Sequence, residues 1–94
     1  MADESVRADV WLWRARLCKT RGHAARLIEE GRVRLTRAGQ ETRLDKPAGP
    51  VKPGDALVFA LAGRLHAVRI EALGARRGPP AEARSLYSPL DGGA

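Results

Sequence analysis

Cysteine is nearly absent from this chain: Cys18 stands alone among 94 residues. No internal disulfide can therefore form, and no multi-cysteine metal site can be built. The only histidines, His23 and His66, have no ligand-type neighbour in sequence, so neither a metal nor a cofactor is expected. No apolar run approaches the ~20 residues that a membrane span needs. The opening MADESVRADV is acidic and lacks the basic start and apolar stretch of a signal peptide. With the lone thiol, this leads us to expect a reducing, cytoplasmic setting. A glycine-rich phosphate loop is missing, as is a nucleophile beside a base, so catalysis is not expected.

Charge is what the chain has in excess. Seventeen Lys plus Arg oppose eleven Asp plus Glu, for a net +6 and a pI near 10.7. Fourteen of the bases are arginine, and a compositional bias toward Arg, Ala and Gly accounts for part of that number. It does not account for their placement. Between Val10 and Ile28 lie Arg14, Arg16, Lys19, Arg21 and Arg26 with no acid among them. A solvated surface normally mixes signs, whereas a one-signed stretch suits a polyanion. At 44% hydrophobic and 30% charged residues, the chain reads as one small folded domain with a modest core.

Periodicity divides it into helical and extended parts. Asp9 is an N-cap candidate for a first helix reaching about Cys18. Ala8, Trp11, Leu12 and Ala15 share an uncharged face of that helix; Val10, Trp13 and Leu17 form a second stripe, which the C-terminal segment is expected to cover. Thr20 caps a second helix in which Ala24, Leu27 and Ile28 follow helical spacing and Gly31 sits at C′. With about two residues between them, the helices should cross steeply, as in a helix-turn-helix. From Gly31 the period becomes two: a strand at 32–35, a turn at 37–40 and a return strand at 42–44. Residues 45–50 read as loop and Pro53-Gly54-Asp55 as a turn. Residues 56–61 and 65–70 pair as a hairpin across Ala62-Gly63, one or two helical turns follow at 81–86, and Ser88 to Ala94 look frayed.

The run Arg7-Ala8-Asp9-x-x-Leu12, then Lys19-Thr20-Arg21-x-x-Ala24-x-x-Leu27-Ile28-x-x-Gly31-x-Val33, then Val51-x-Pro53-Gly54-Asp55 resembles the RNA-binding domain named after ribosomal small-subunit protein four, the S4 domain. That resemblance implies an α+β fold, two helices in a helix-turn-helix-like arrangement (the alpha-L motif) on a small, mostly antiparallel sheet. It places the core at residues 6–61, leaves 62–90 to complete the same domain, and treats 1–5 and 91–94 as flexible ends. Trp11-Leu12-Trp13 with Ala15-Arg16, and later Arg76-Arg77-x-Pro79-x-x-Glu82-Ala83-x-x-Leu86-Tyr87, look more narrowly like the heat-shock protein fifteen family of ribosome-associated proteins. Members of that family bind free large ribosomal subunits still carrying peptidyl-tRNA. Some carry a long basic C-terminal extension beyond the region matched here; if that extension adds to ribosome grip, affinity here is expected to be weaker or concentrated in the domain.

Carried over by position, the resemblance implies RNA contacts from Arg7, Lys19, Thr20, Arg21 and Arg26. Arg14, Arg16, His23, Arg32 and Arg34 join them as basic or polar neighbours on the same elements. Two departures stand out: Ala8 replaces the family's usual leucine, and the hairpin turn is one residue longer, leaving Arg37 either as an RNA contact or in a solvated turn. Trp11 is expected in the core; Trp13 either stacks on a base or packs under the C-terminal segment. Arg76 and Arg77 divide between solvated loop and second phosphate contact, and Cys18 should be buried and inert. The expected partner is structured RNA, in particular ribosomal RNA of the large subunit and peptidyl-tRNA, met by a monomer away from membranes. The alternatives are a general accessory factor binding ribosomal or transfer RNA and a DNA-binding helix-turn-helix, and weaker DNA binding beside RNA is also open, but Arg21 and Arg26 alone make a poor recognition helix.

Overall fold

A computed structural model describes residues 4–90. The elements in chain order are β1 (Val6–Arg7), α1 (Ala8–Arg14), α2 (Arg21–Glu29), β2 (Val33–Arg37), β3 (Gln40–Leu44), β4 (Pro50–Val51), β5 (Ala56–Leu61), β6 (Arg64–Ile70), α3 (Pro80–Arg84) and β7 (Tyr87–Pro89). The fold is α+β, as expected. Five strands form an antiparallel sheet in the order β3-β2-β5-β6-β7, and β1 pairs with β4 apart from it. Of the flexible ends expected at 1–5 and 91–94, residues 1–3 and 91–94 lie outside the described residues; Glu4 and Ser5 are exposed.

One apolar cluster joins helices to sheet. Trp11, Leu12 and Ala15 of α1 and its exit meet Ala24, Leu27 and Ile28 of α2 and the inward side chains Val33, Leu35, Leu57, Phe59, Val68 and Ile70. Alternation on the strands explains which residues those are: in β5, Leu57 and Phe59 are buried while Val58 is half-buried and Ala60 exposed. Both hairpin tips are two-residue Ala-Gly turns, Ala38-Gly39 and Ala62-Gly63. All four residues have positive φ (53° and 81°, 53° and 77°), the pairing that matches the twist of antiparallel strands.

The first helix departs from its expected limits at both ends. Arg7, not Asp9, is the N-cap, and it makes no side-chain capping bond. The first amides of α1 are instead taken by the carbonyls of Gly49, to Ala8 (2.9 Å), and Pro47, to Asp9 (3.2 Å). Asp9 is buried in the first turn, where its negative charge suits the helix dipole. At the other end α1 stops at Arg14 rather than near Cys18, because Arg16 adopts φ +60°. The Arg16 amide bonds Trp13 O (3.1 Å) and the Leu17 amide bonds Leu12 O (3.1 Å), the paired bonds of a Schellman close with arginine at the position glycine usually takes. The connection to α2 is therefore 15–20, six residues rather than two.

Three strands depart from the expectation, β1 (Val6–Arg7) ahead of the first helix among them. Pro50–Val51 begins at the end of the expected loop 45–50, and the expected frayed end starts at Ser88. Tyr87–Pro89 instead pairs with β6, and the Leu90 amide reaches Ala67 O at 2.9 Å. Asp55 does more than set a turn: at 2% exposure it receives Arg37 Nε (2.9 Å), Arg37 Nη2 (2.6 Å) and the Lys52 amide (3.0 Å). Arg37 thus closes β2 and braces the Lys52–Asp55 turn rather than standing at a solvated tip.

Candidate nucleic-acid interface

Ten residues were expected at the interface, and the structure sorts them by what already holds them. Thr20 accepts the His23 amide at 2.9 Å through Oγ1, which fixes the first turn of α2 without a carboxylate. Around that turn Lys19, Arg21, His23 and Arg26 are exposed. Among the described residues no ion pair or hydrogen bond restrains the side chains of Lys19, Arg21 or Arg26.

The other cations are engaged. Arg7 forks onto the buried Asp9 carboxylate (3.1 and 3.0 Å), which raises the already high guanidinium pKa through that hydrogen-bonded pair. Arg32 pairs with Glu30 (3.2 Å) and Arg34 with Glu41 (3.4 Å), each between largely exposed side chains whose attraction in water is small. Arg14 and Arg16 turn toward the C-terminal segment: Arg14 Nη1 donates to Gly74 O (2.8 Å), and Arg16 Nε to Gly78 O (2.6 Å).

That C-terminal segment is a clamp on α1. Trp11 Nε1 donates to Ala72 O (2.9 Å), Arg77 Nε to Trp13 O (3.1 Å), and the Arg77 guanidinium sits 5.9 Å from the Trp13 ring centroid. Trp11 is fully buried, and Trp13 lies half-buried under Arg77. Arg76 ties back to Glu82 (3.2 and 2.9 Å), holding the Glu82 carboxyl below its ordinary pKa through that hydrogen bond. Sequence reasoning missed this employment of arginine because backbone carbonyls nearly sixty residues away leave no local pattern. Cys18 is buried, and desolvation pushes its thiol up to about 11.

Most of the charge on α2 opposes its dipole, Arg26 in the last turn being the exception. Cations sit at its positive end, no acid lies in its first turn, and Glu29 and Glu30 close its negative end. Each such placement costs a few tenths of a kcal/mol relative to the reverse arrangement. An anion set against Lys19 and Arg21 would meet both the side chains and the dipole. Among the described residues no group of His, Cys, Asp and Glu is arranged to hold a metal, and no helix is long and apolar enough to cross a membrane.

Comparison with known proteins agrees with this geometry. The S4 domain family model matches residues 6–35, the stretch from Val6 through both helices into β2. Heat shock protein 15 homolog of Haemophilus influenzae is 39% identical over 88 residues, covering 93% of this chain and 63% of that protein. Heat shock protein 15 of Escherichia coli is 37% identical over 82 residues, covering 87% of this chain and 58% of that protein. The chain thus spans less than two thirds of the length of these curated relatives. A solved structure of Vibrio cholerae Heat Shock Protein 15, described as trimeric, superposes with a TM-score of 0.80 at 33% identity, covering 93% of this chain and 83% of that one. In sequence and in fold, the chain belongs to the heat shock protein 15 family, built on an S4 domain.

Proposed function

We propose that this protein binds structured RNA through the α1–α2 face, as a binding protein without catalytic activity, and that its target is ribosomal RNA on free large subunits carrying peptidyl-tRNA. The observation that carries the reading is the set of unrestrained cations Lys19, Arg21 and Arg26 along α2, two of which, Lys19 and Arg21, crowd its positive end with no acid in the first turn. A polyanion supplies the missing counter-charge. Thr20, by holding the first turn, keeps the neighbouring amides in place.

Arg7, Arg32 and Arg34 are second-rank contacts, since each must exchange a carboxylate for a phosphate. Arg14 and Arg16 contribute beside the carbonyls they already hold, and His23 adds a planar group at the helix start. Phosphate contacts of this kind read shape more than sequence. With ~4–6 of them, log affinity should fall against log salt with a slope of roughly −3 to −5. The setting is cytoplasmic, as the lone buried thiol suits. The working unit is one chain, although the Vibrio relative is described as a trimer; sedimentation equilibrium with and without RNA decides between the two.

The central test is co-sedimentation with large subunits, small subunits and whole ribosomes at two salt concentrations. Salt-sensitive association preferring free large subunits is expected. Binding to duplex DNA and to no ribosomal particle would overturn the reading in favour of a DNA-binding helix-turn-helix.

A further inference from the structure

Between the α1–α2 connection and the β5–β6 turn lies a cavity of about 500 Å³ lined by Arg16, Leu17, Lys19, His23, Leu61 and Ala62. Its size falls within the ~300–1,000 Å³ of small-ligand sites. Its walls differ in kind. Leu17 and Leu61 are half-buried and pack against the main apolar cluster, whereas Arg16, Lys19 and His23 stand at the exposed side. Among the described residues no carboxylate lines it.

We propose that this cavity takes a single unpaired nucleotide of a bound RNA, with the base against Leu17 and Leu61 and its phosphate toward Arg16 and Lys19. The inference rests on the RNA-binding reading above and specifies its target: the RNA must offer at least one base outside its helix. A simple anion would leave the leucines unused, and an apolar ligand would leave the cations unused. A nucleotide uses both, and two of the lining groups, the Arg16 guanidinium and the His23 imidazole, are planar surfaces of the sort on which splayed bases stack. RNA is favoured over a free nucleotide because Arg21 and Arg26 continue the unrestrained positive charge beyond the cavity, where further phosphates of one strand would run.

The backbone at Arg16 points the same way. A left-handed arginine costs roughly 1–2 kcal/mol over glycine, yet Gly31 closes α2 by the same pair of bonds with glycine in place. What arginine adds at position 16 is its side chain. Nε is held by Gly78 O at 2.6 Å, so the guanidinium is fixed in position, while no partner for its terminal nitrogens is found among the described residues. A group fixed before the ligand arrives loses little freedom on binding. His23 is similarly placed: the Thr20 bond engages its amide and leaves the ring free.

Two RNA hairpins differing only by one bulged nucleotide provide the test, with affinity measured by fluorescence anisotropy. The wild-type chain should prefer the bulged hairpin about tenfold, the scale of one favourable base contact. Leu61→Trp, which fills the cavity without altering a charge, should reduce that preference to within about twofold while keeping the affinity for the paired hairpin. Amide chemical shifts in the wild-type protein give a second measurement that needs no variant: Leu17, Leu61 and Ala62 should move with the bulged RNA and stay still with the paired one. Equal affinity for both hairpins, with shifts confined to 19–26, would overturn the nucleotide site and leave the RNA-binding face standing. Failure to bind either hairpin at low salt would instead remove the RNA-binding reading itself.

Discussion

The arginines of the C-terminal clamp and the cations at the start of α2 are chemically alike, and the fold employs them in opposite ways. Arg14, Arg16 and Arg77 spend donors on the carbonyls of Gly74, Gly78 and Trp13. Lys19, Arg21 and Arg26 have no such partner among the described residues and stand in solvent. The difference teaches that a count of positive charge overstates an interface. Guanidinium groups can serve as long-range ties within the molecule, and a tied group offers a ligand only the donors its tie leaves over.

The comparison breaks first at Trp11. Trp11→Ala removes a fully buried indole and its bond to Ala72 O, and should destabilise the protein by ~3–5 kcal/mol in urea unfolding. A loss under about 1 kcal/mol, the effect of an average substitution, would mean that the clamp matters little to stability. Arg21→Glu separates the two regions more sharply. It should weaken RNA binding at least about tenfold, ~1.4 kcal/mol, yet leave the fold intact. Because an acid suits the first turn of a helix, the melting temperature should hold or rise slightly. Retained RNA affinity in that variant would count heavily against the proposed face.

Arg77→Ala is the converse experiment. Losing the contact with Trp13 should cost about 1 kcal/mol of stability while RNA affinity changes by less than about twofold, since no phosphate contact is removed. The smallest effect is at Cys18. The thiol ionises near 9.0 when solvated and near 11 in the fold, so the native state holds its proton more tightly. Its contribution to stability is intact below pH 9 and declines as pH rises from 9 toward 11. Comparing unfolding at pH 8 and pH 10.5 in the wild type and in Cys18→Ala isolates that slope; equal slopes in the two proteins would mean the thiol is solvated.

Much of this was legible in local pattern. The second helix, with Thr20 at its start and Gly31 after its end, is bounded by residues whose chemistry acts within a turn, and the structure has it there. Strands β2, β5 and β6 follow from alternation and the Ala62-Gly63 turn from its length and glycine, whereas the first hairpin, expected to turn over 37–40, keeps Arg37 and Gln40 in its strands. Legibility failed where the cause is distant or where an unfavoured residue fills a role. Arg16 closes α1 at a site where glycine is the usual signal, so the helix was read as running on. Asp9 looked like a cap because the Pro47 and Gly49 carbonyls that take its place come from forty residues away. Strands β4 and β7 are two and three residues long, too short for a period to show. On the interface side, the residue types were readable, but which arginines are already occupied depends on Glu30, Glu41, Asp9 and the backbone of 72–78.

The clamp also has a consequence in time. Trp11, Arg14, Arg16 and Trp13 find their partners 59 to 64 residues downstream, so on a growing polypeptide the first helix stays incompletely packed until residues near Gly78 have emerged. Domains of this size fold as units once their distant contacts become available. The basic surface beside α1 therefore gains its final rigidity only after residues near Gly78 have emerged, so a nascent fragment cut off before the clamp would carry the charge without the shape.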